Sequence, residues 1–366
     1  MKTLGLILIL FLNVCSSQTI DLSEEEYSNG KESDKIIEAQ RLIDSLMTEK
    51  KIPGLSVCVG TKDEILWAQG FGYSDPENKI PVKLNSIFRI GSISKTLTAL
   101  ALGKLLENNR MSLNDSVQMF VSYFPNKKYP VTIGALSSHT AGIRDYNYRN
   151  NEYISDKYYS TVEESINIFK DDSLIFEPGT KYGYSTYGYV LLSAVIESIT
   201  EMDFLKYMND SIFIPMNLLN TLPDFNDSII PQRVKFFDES KGEIVNGYKV
   251  DNSNKWAGGG YLSNPYDLLV MSQNLLNHQF LSEVTVEKLW TSDTLLDGEE
   301  VNYGIGWKIE TDSLQRKFVH HGGSSIGGRS FLLVLPNENI IVAITCNLST
   351  NFDQSFVLKI ADVFLN

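Results

Sequence analysis

Cysteine and histidine are both scarce in this chain. Its 366 residues hold three cysteines, at 15, 58 and 346, and four histidines, at 139, 278, 320 and 321. So few thiols make no disulfide framework for a chain of this length. The histidines include no pair at helical ligand spacing and no neighbouring cysteine cluster, so no metal site and no cofactor are expected. Positive charge is in deficit too: 32 Lys and Arg against 45 Asp and Glu leave a net charge of −13. Such a chain repels phosphate backbones, and no basic run with interleaved aromatics offsets this, which argues against nucleic acid as a partner. Past Ser17 no apolar run is long enough to span a bilayer.

What is present begins with Lys2, the apolar stretch Leu4 to Val14 and the small residues Cys15, Ser16 and Ser17, the layout of a signal peptide over 1–17. Export to the periplasm or the extracellular space is the expectation. A lipid-modified Cys15 is the competing reading, disfavoured by bulky Val14 before it, and membrane attachment is expected only in that case. Gln18 to Lys35 is acidic and polar and reads as a mobile lead-in.

A hydrophobic content of 43% supplies a real core for the rest of the chain. Ile36, Ile37, Ala39, Leu42, Ile43 and Leu46 recur with a helical period and predict a helix over Ile36 to Glu49. Leu55 to Val59 and Ile65 to Gly70 flank the polar turn Thr61-Lys62-Asp63-Glu64, a hairpin signal. From Asn108 to about Leu289 the pattern is mixed and mostly helical. Gly304 to Lys308, Ser330 to Leu335 and Ile340 to Cys346 read as strands, and Phe352 to Phe364 as a closing helix. Strands at both ends around a helical middle predict an α+β domain over 36–366, with a sheet part at about 36–107 and 290–366 and an inserted helical part at about 108–289. Cys58 and Cys346 both fall in strand-like runs, where two buried thiols are favoured over a bridge.

The chemistry is concentrated in three places. Ser92-Ile93-Ser94-Lys95 puts a hydroxyl and an amine three residues apart, after Gly91 and before the apolar run Leu97 to Leu102. If that run is helical, both side chains share one face. A buried lysine with its charge disfavoured can take the serine proton, which makes Ser92 a nucleophile and Lys95 its base. The same spacing at Ser28 to Lys31 lies in a charged stretch without apolar periodicity. Tyr182-Gly183-Tyr184-Ser185-Thr186 precedes the apolar run Gly188 to Ile199, where the Tyr184 phenol can relay a proton to a leaving group. His320-His321-Gly322-Gly323 offers imidazoles beside glycines whose backbone can approach a ligand, although the same residues also suit a turn. Gly323-Ser324-Ser325-Ile326-Gly327 matches a nucleophile elbow in letters alone, since a strand comes after it and no histidine lies downstream. Glu163 and Glu164 read as a solvated helix face.

Taken in this order, Ser92-Ile93-Ser94-Lys95, Tyr184-Ser185-Thr186 and His320-His321-Gly322 resemble the three motifs of the serine β-lactamase-like and penicillin-binding family, particularly its class C β-lactamase and esterase branch. Leu136 to Arg144, Glu177 to Thr180 and Trp256 to Ser263 resemble that family as well, so the likeness runs from about Lys35 to Phe364. It implies the β-lactamase/transpeptidase-like fold, an antiparallel sheet flanked by helices with an inserted, mainly helical subdomain. It also implies an acyl-enzyme on Ser92, acid and base work shared by Lys95 and Tyr184, an oxyanion hole from the N–H groups of Ser92 and Gly323, and substrate contacts at Thr186, His320 and His321. Thr186 stands where most of the family has Asn, and His320 where it usually has Lys. A neutral imidazole attracts a substrate carboxylate far less than an ammonium does, which points away from efficient β-lactam hydrolysis and toward amide, peptide or ester bonds. The tyrosine-rich segment Arg144 to Tyr159 is expected to cover the cleft. The expected function is an exported serine hydrolase acting on a small-molecule or peptide substrate. Its rival is a protein with weak or no turnover that holds a peptide or acyl ligand in the same pocket.

Overall fold

The computed structural model describes residues 20–365. Thirteen strands occur among them: β1 (Glu26–Ser28), β2 (Gly54–Gly60), β3 (Ile65–Asp75), β4 (Ile80–Pro81), β5 (Phe88–Arg89), β6 (Leu222–Pro223), β7 (Phe237–Ser240), β8 (Glu243–Asn246), β9 (Tyr261–Ser263), β10 (Lys308–Thr311), β11 (Lys317–Ser325), β12 (Gly328–Leu335) and β13 (Ile340–Cys346). The main sheet is antiparallel in the order β1-β3-β2-β13-β12-β11-β10, with β4 on β3. The first and last thirds of the chain meet where β2 pairs with β13, Cys58 opposite Ala343 and Leu55 opposite Cys346.

Because side chains alternate along a strand, this sheet buries two separate cores. Leu55, Val57 and Val59 join Leu333 and Ile344 on one face, beneath helices Ser33–Lys50 and Gln354–Leu365. Cys58, Leu332 and Ala343 face the other core, where helices Ser94–Glu107 and Thr186–Thr200 are packed. Leu97, Ala99, Leu100, Ala101 and Leu102 are all fully buried, as expected of a helix that is apolar all round. Cys58 and Cys346 lie on opposite faces, and both are free thiols.

Three expectations are corrected. The lead-in is not without structure: β1 lies within it and pairs with Trp67 to Gln69 of β3, and the first helix starts at Ser33 rather than Ile36. The mixed, mostly helical middle of the chain contributes strands as well: β6 and β9 join β5 in a three-stranded sheet and β7 and β8 form a hairpin. Gly304 to Lys308 is not a strand, because Gly306 takes a φ of +78° and packs against Lys95, and pairing with β11 starts at Lys308. The histidine–glycine motif lies inside β11 rather than ahead of it. Among the described residues no helix is long and apolar enough to cross a membrane; the expected signal peptide and Cys15 lie outside them.

Candidate active site

Ser92 sits in a single 3-10 turn, Gly91–Ile93, and the α-helix proper begins at Ser94. Gly91 makes that turn achievable: its φ is +49°, and a Cβ there would stand 2.5 Å from the Ser324 carbonyl oxygen, so this backbone and β11 can touch only through glycine. Ser92 is half-buried, while Lys95, one turn on, is fully buried. The Lys95 Nζ is 3.2 Å from Ser92 Oγ, 2.6 Å from the Gly258 oxygen and 3.4 Å from Thr186 Oγ1. Burial pulls its pKa down to about 7, with Asp145 opposing that shift and Lys255 adding to it. The amine therefore spends much of its time uncharged near neutral pH.

The second motif is pinned from three sides. Ser185 caps helix Thr186–Thr200 by accepting from the Gly188 N–H at 3.0 Å and donates to the Arg144 oxygen at 2.7 Å. Its N–H donates to His139 Nδ1 at 3.2 Å, and the Thr186 N–H donates to Asp145 Oδ1 at 2.8 Å. Tyr184 is thereby held with the Lys95 ammonium 4.7 Å from its ring centre. Burial lifts its pKa well above the usual phenol value, and the neighbouring Ser92 hydroxyl works against that shift. Tyr184 is a protonated phenol at any physiological pH, a donor rather than a base.

The two histidines part company. His320 points away from Ser92, stacked on Phe331 at 5.2 Å between centroids and set beside Phe318 in the far core, with Nε2 3.2 Å from Glu310 Oε1. Its expected contact with substrate is thus not available from this position, for the reason that neighbours on a strand face opposite sides. His321 is the one at the cleft, 6.4 Å from Tyr184 between ring centres. Its Nδ1 is 2.8 Å from the Gly322 oxygen and its Nε2 is 2.9 Å from the Tyr303 hydroxyl. A carbonyl can only accept, so Nδ1 carries the proton and Nε2 accepts from Tyr303. Burial also keeps this imidazole neutral, its pKa well below the usual value. Gly323 lies against Ile90, and a Cβ there would sit 1.9 Å from the Ile90 oxygen.

Several residues at the site carried no sequence signal of their own. His139 adopts a φ of +63° and packs its ring 4.3 Å from Tyr184 and 4.6 Å from Tyr303. Gly258 supplies the oxygen that holds Lys95, and a Cβ on it would meet Thr186 Cγ2 at 2.6 Å. Both belong to segments marked by the family likeness, whereas Asp145, Lys255 and Tyr303 were found only by the structure. The segment 144–159 is anchored: Arg144 pairs with Glu152 at 2.7 Å and Asp172 at 2.6 Å, and Tyr146 packs on Tyr187.

The beta-lactamase family model matches residues 39–361 of this chain. The chain belongs to the beta-lactamase family. It is 31% identical to the human mitochondrial serine beta-lactamase-like protein LACTB, over 89% of this chain and 79% of that protein. It is 26% identical to penicillin-binding protein 4* of Bacillus subtilis, over 89% of this chain and 75% of that one. The solved structure of the octameric penicillin-binding protein homologue from Pyrococcus abyssi superposes with a TM-score of 0.80 at 28% identity, over 90% and 77% of the two chains. The fold is the β-lactamase/transpeptidase-like one, and the chain is a serine hydrolase of this family.

Proposed function

We propose that this protein is an exported acyl hydrolase in which Ser92 attacks an amide, peptide or ester carbonyl. The carrying observation is the Lys95 amine, buried, depressed to about 7 and 3.2 Å from Ser92 Oγ. Lys95 takes the hydroxyl proton as Oγ bonds to the carbonyl carbon. Tyr184 delivers its phenolic proton to the departing atom and recovers one from the Lys95 ammonium; water then attacks the acyl group while giving its proton to the Lys95 amine, which returns a proton to Ser92 Oγ as the acid leaves. Developing negative charge falls to the N–H of Ser92 and to a main-chain donor of the Gly323–Ser324 stretch packed on Ile90 and Gly91, a contribution of roughly 3 to 4 kcal/mol per donor in serine enzymes. The neutral, fully engaged His321 and the short Thr186 hydroxyl support esters, amides or peptides over β-lactams. Export rests on the composition of Met1 to Ser17.

The test is intact mass spectrometry of wild type and Ser92→Ala after exposure to a fluorophosphonate, a p-nitrophenyl ester and a penicillin. An adduct on wild type alone supports the mechanism, and turnover of the ester with a stalled or missing penicillin adduct supports the substrate class. Equal labelling of Ser92→Ala, or no adduct on either protein, overturns it.

A further inference from the structure

Among the described residues one lysine besides Lys95 is buried, and it is Lys255, 4% exposed. Its Nζ donates to the Tyr153 oxygen at 3.2 Å and lies over the rings of Tyr153 and Tyr146, 4.9 and 5.4 Å from their centres. An ammonium has three donors. No carboxylate of the described residues is within ion-pair distance; burial and then the Arg89 charge lower its pKa to about 8, against more distant Asp224, Asp145 and Asp251. Withdrawing a cation from water without a paired anion is costly, so the position asks for a reason.

The reason lies in the glycines just beyond it in the chain. Gly258 and Gly260 have no room for a side chain, since a Cβ would meet Thr186 Cγ2 at 2.6 Å in the first case and Trp256 Cε3 at 2.5 Å in the second. Gly259 is different: its nearest neighbours are the Gly91 carbonyl carbon and Lys255 Cδ, each 3.9 Å from where a Cβ would be. Packing does not demand glycine there, so this position, beside the residue that precedes Ser92 and next to the Lys255 stem, has room that glycine leaves unfilled. Tyr146 and Tyr153, 5.5 Å apart between centroids, flank the ammonium at the end of that stem. His321 brings no positive charge to the cleft, and Lys95 is committed to Ser92 and Gly258.

We infer that the room beside Gly259 receives the acyl group and that Lys255 recognises a carboxylate carried on it, so that the preferred substrates are acyl donors with an anionic acyl chain. This rests on Ser92 being the nucleophile. While Ser92 holds the acyl group, the carboxylate takes up the Lys255 donors that the protein leaves without an anion. Charge-assisted bonds of this kind are about twice as strong as neutral ones, which is enough to decide between two acyl chains of equal length.

The experiment compares p-nitrophenyl hexanoate with the mono-p-nitrophenyl ester of adipic acid, which has the same chain length and ends in a carboxylate, corrected for spontaneous hydrolysis. Wild type is expected to favour the adipoyl ester in kcat/KM by about tenfold or more, Lys255→Met to lose that preference, and Lys255→Arg to retain much of it. A wild-type preference for hexanoyl, or equal losses on both esters in Lys255→Met, overturns the inference. Should Lys255→Met fail to fold, competition on wild type decides: adipate must protect Ser92 from fluorophosphonate at lower concentration than hexanoate does, and the reverse order rejects the subsite. Failure of the underlying mechanism looks different, since Ser92 would then take no fluorophosphonate and neither ester would turn over.

Discussion

The Nζ of Lys95 donates to the main-chain oxygen of Gly258 at 2.6 Å, the shortest of its three polar contacts. A carbonyl accepts from an amine and from an ammonium alike, so the side chain stays aimed at Ser92 in both protonation states.

With a folded pKa of about 7 against an ordinary 10.5, Lys95 titrates in the working range. The free amine is the active form, so kcat/KM is expected to rise with pH through about 7 and then level. The stability consequence has the same sign. Between about 7 and 10.5 the unfolded chain holds a proton on this lysine that the folded chain does not, so its contribution to stability grows with pH across that window and is at its worst below 7. A pH–rate profile flat from acid to alkaline would remove Lys95 from the base role.

Replacing Lys95 by Met separates activity from stability. Turnover is expected to fall by about a thousandfold or more. The melting temperature is expected to rise by about 2 °C or more, because an amine paired only with a carbonyl and hydroxyls gives way to an apolar chain of similar length. Calorimetry showing a lower melting temperature would mean that the bond to Gly258 holds the fold together.

Gly323→Ala tests the contact between β11 and the nucleophile turn. The added methyl would lie 1.9 Å from the Ile90 oxygen and 2.3 Å from Ser330 Oγ, so the strand must move away from Ile90–Ser92. The expected outcome is a loss in kcat of about a hundredfold, comparable to losing an oxyanion donor. Full activity with an unchanged melting temperature would show that this approach is not needed for catalysis.

Cys58 and Cys346 are expected to stay reduced in material exposed to air. Both are buried, in different cores, and burial pushes the Cys346 thiol up to about 11 and the Cys58 thiol higher still. Denatured protein should take up two equivalents of alkylating reagent at these positions without prior reduction; a two-dalton deficit in intact mass would contradict the burial on opposite faces.

Much of this architecture was legible because local pattern and tertiary role agree. The Ser92–Lys95 spacing, the hairpin around Thr61 to Glu64 and the apolar strand Ile340 to Cys346 each state their own conformation. The pair His320–His321 did not, since one residue of slip in the start of β11 decides which imidazole faces the cleft. Strand β1 was missed because edge strands are commonly short and charged, and Glu26–Ser28 carries no apolar alternation. Asp145 and Lys255 gave no signal because their positions depend on how the segments around 145, 186 and 256 come together, which no local period encodes.

The two helices that cover the far face of the sheet also meet each other, with Lys35 Nζ donating to the Phe364 oxygen at 3.1 Å. A tether attached next to Phe364 would leave the molecule from the face of the sheet opposite the core that carries Ile90 and Ile93 around Ser92, so that a surface carrying the protein would hold the cleft outward.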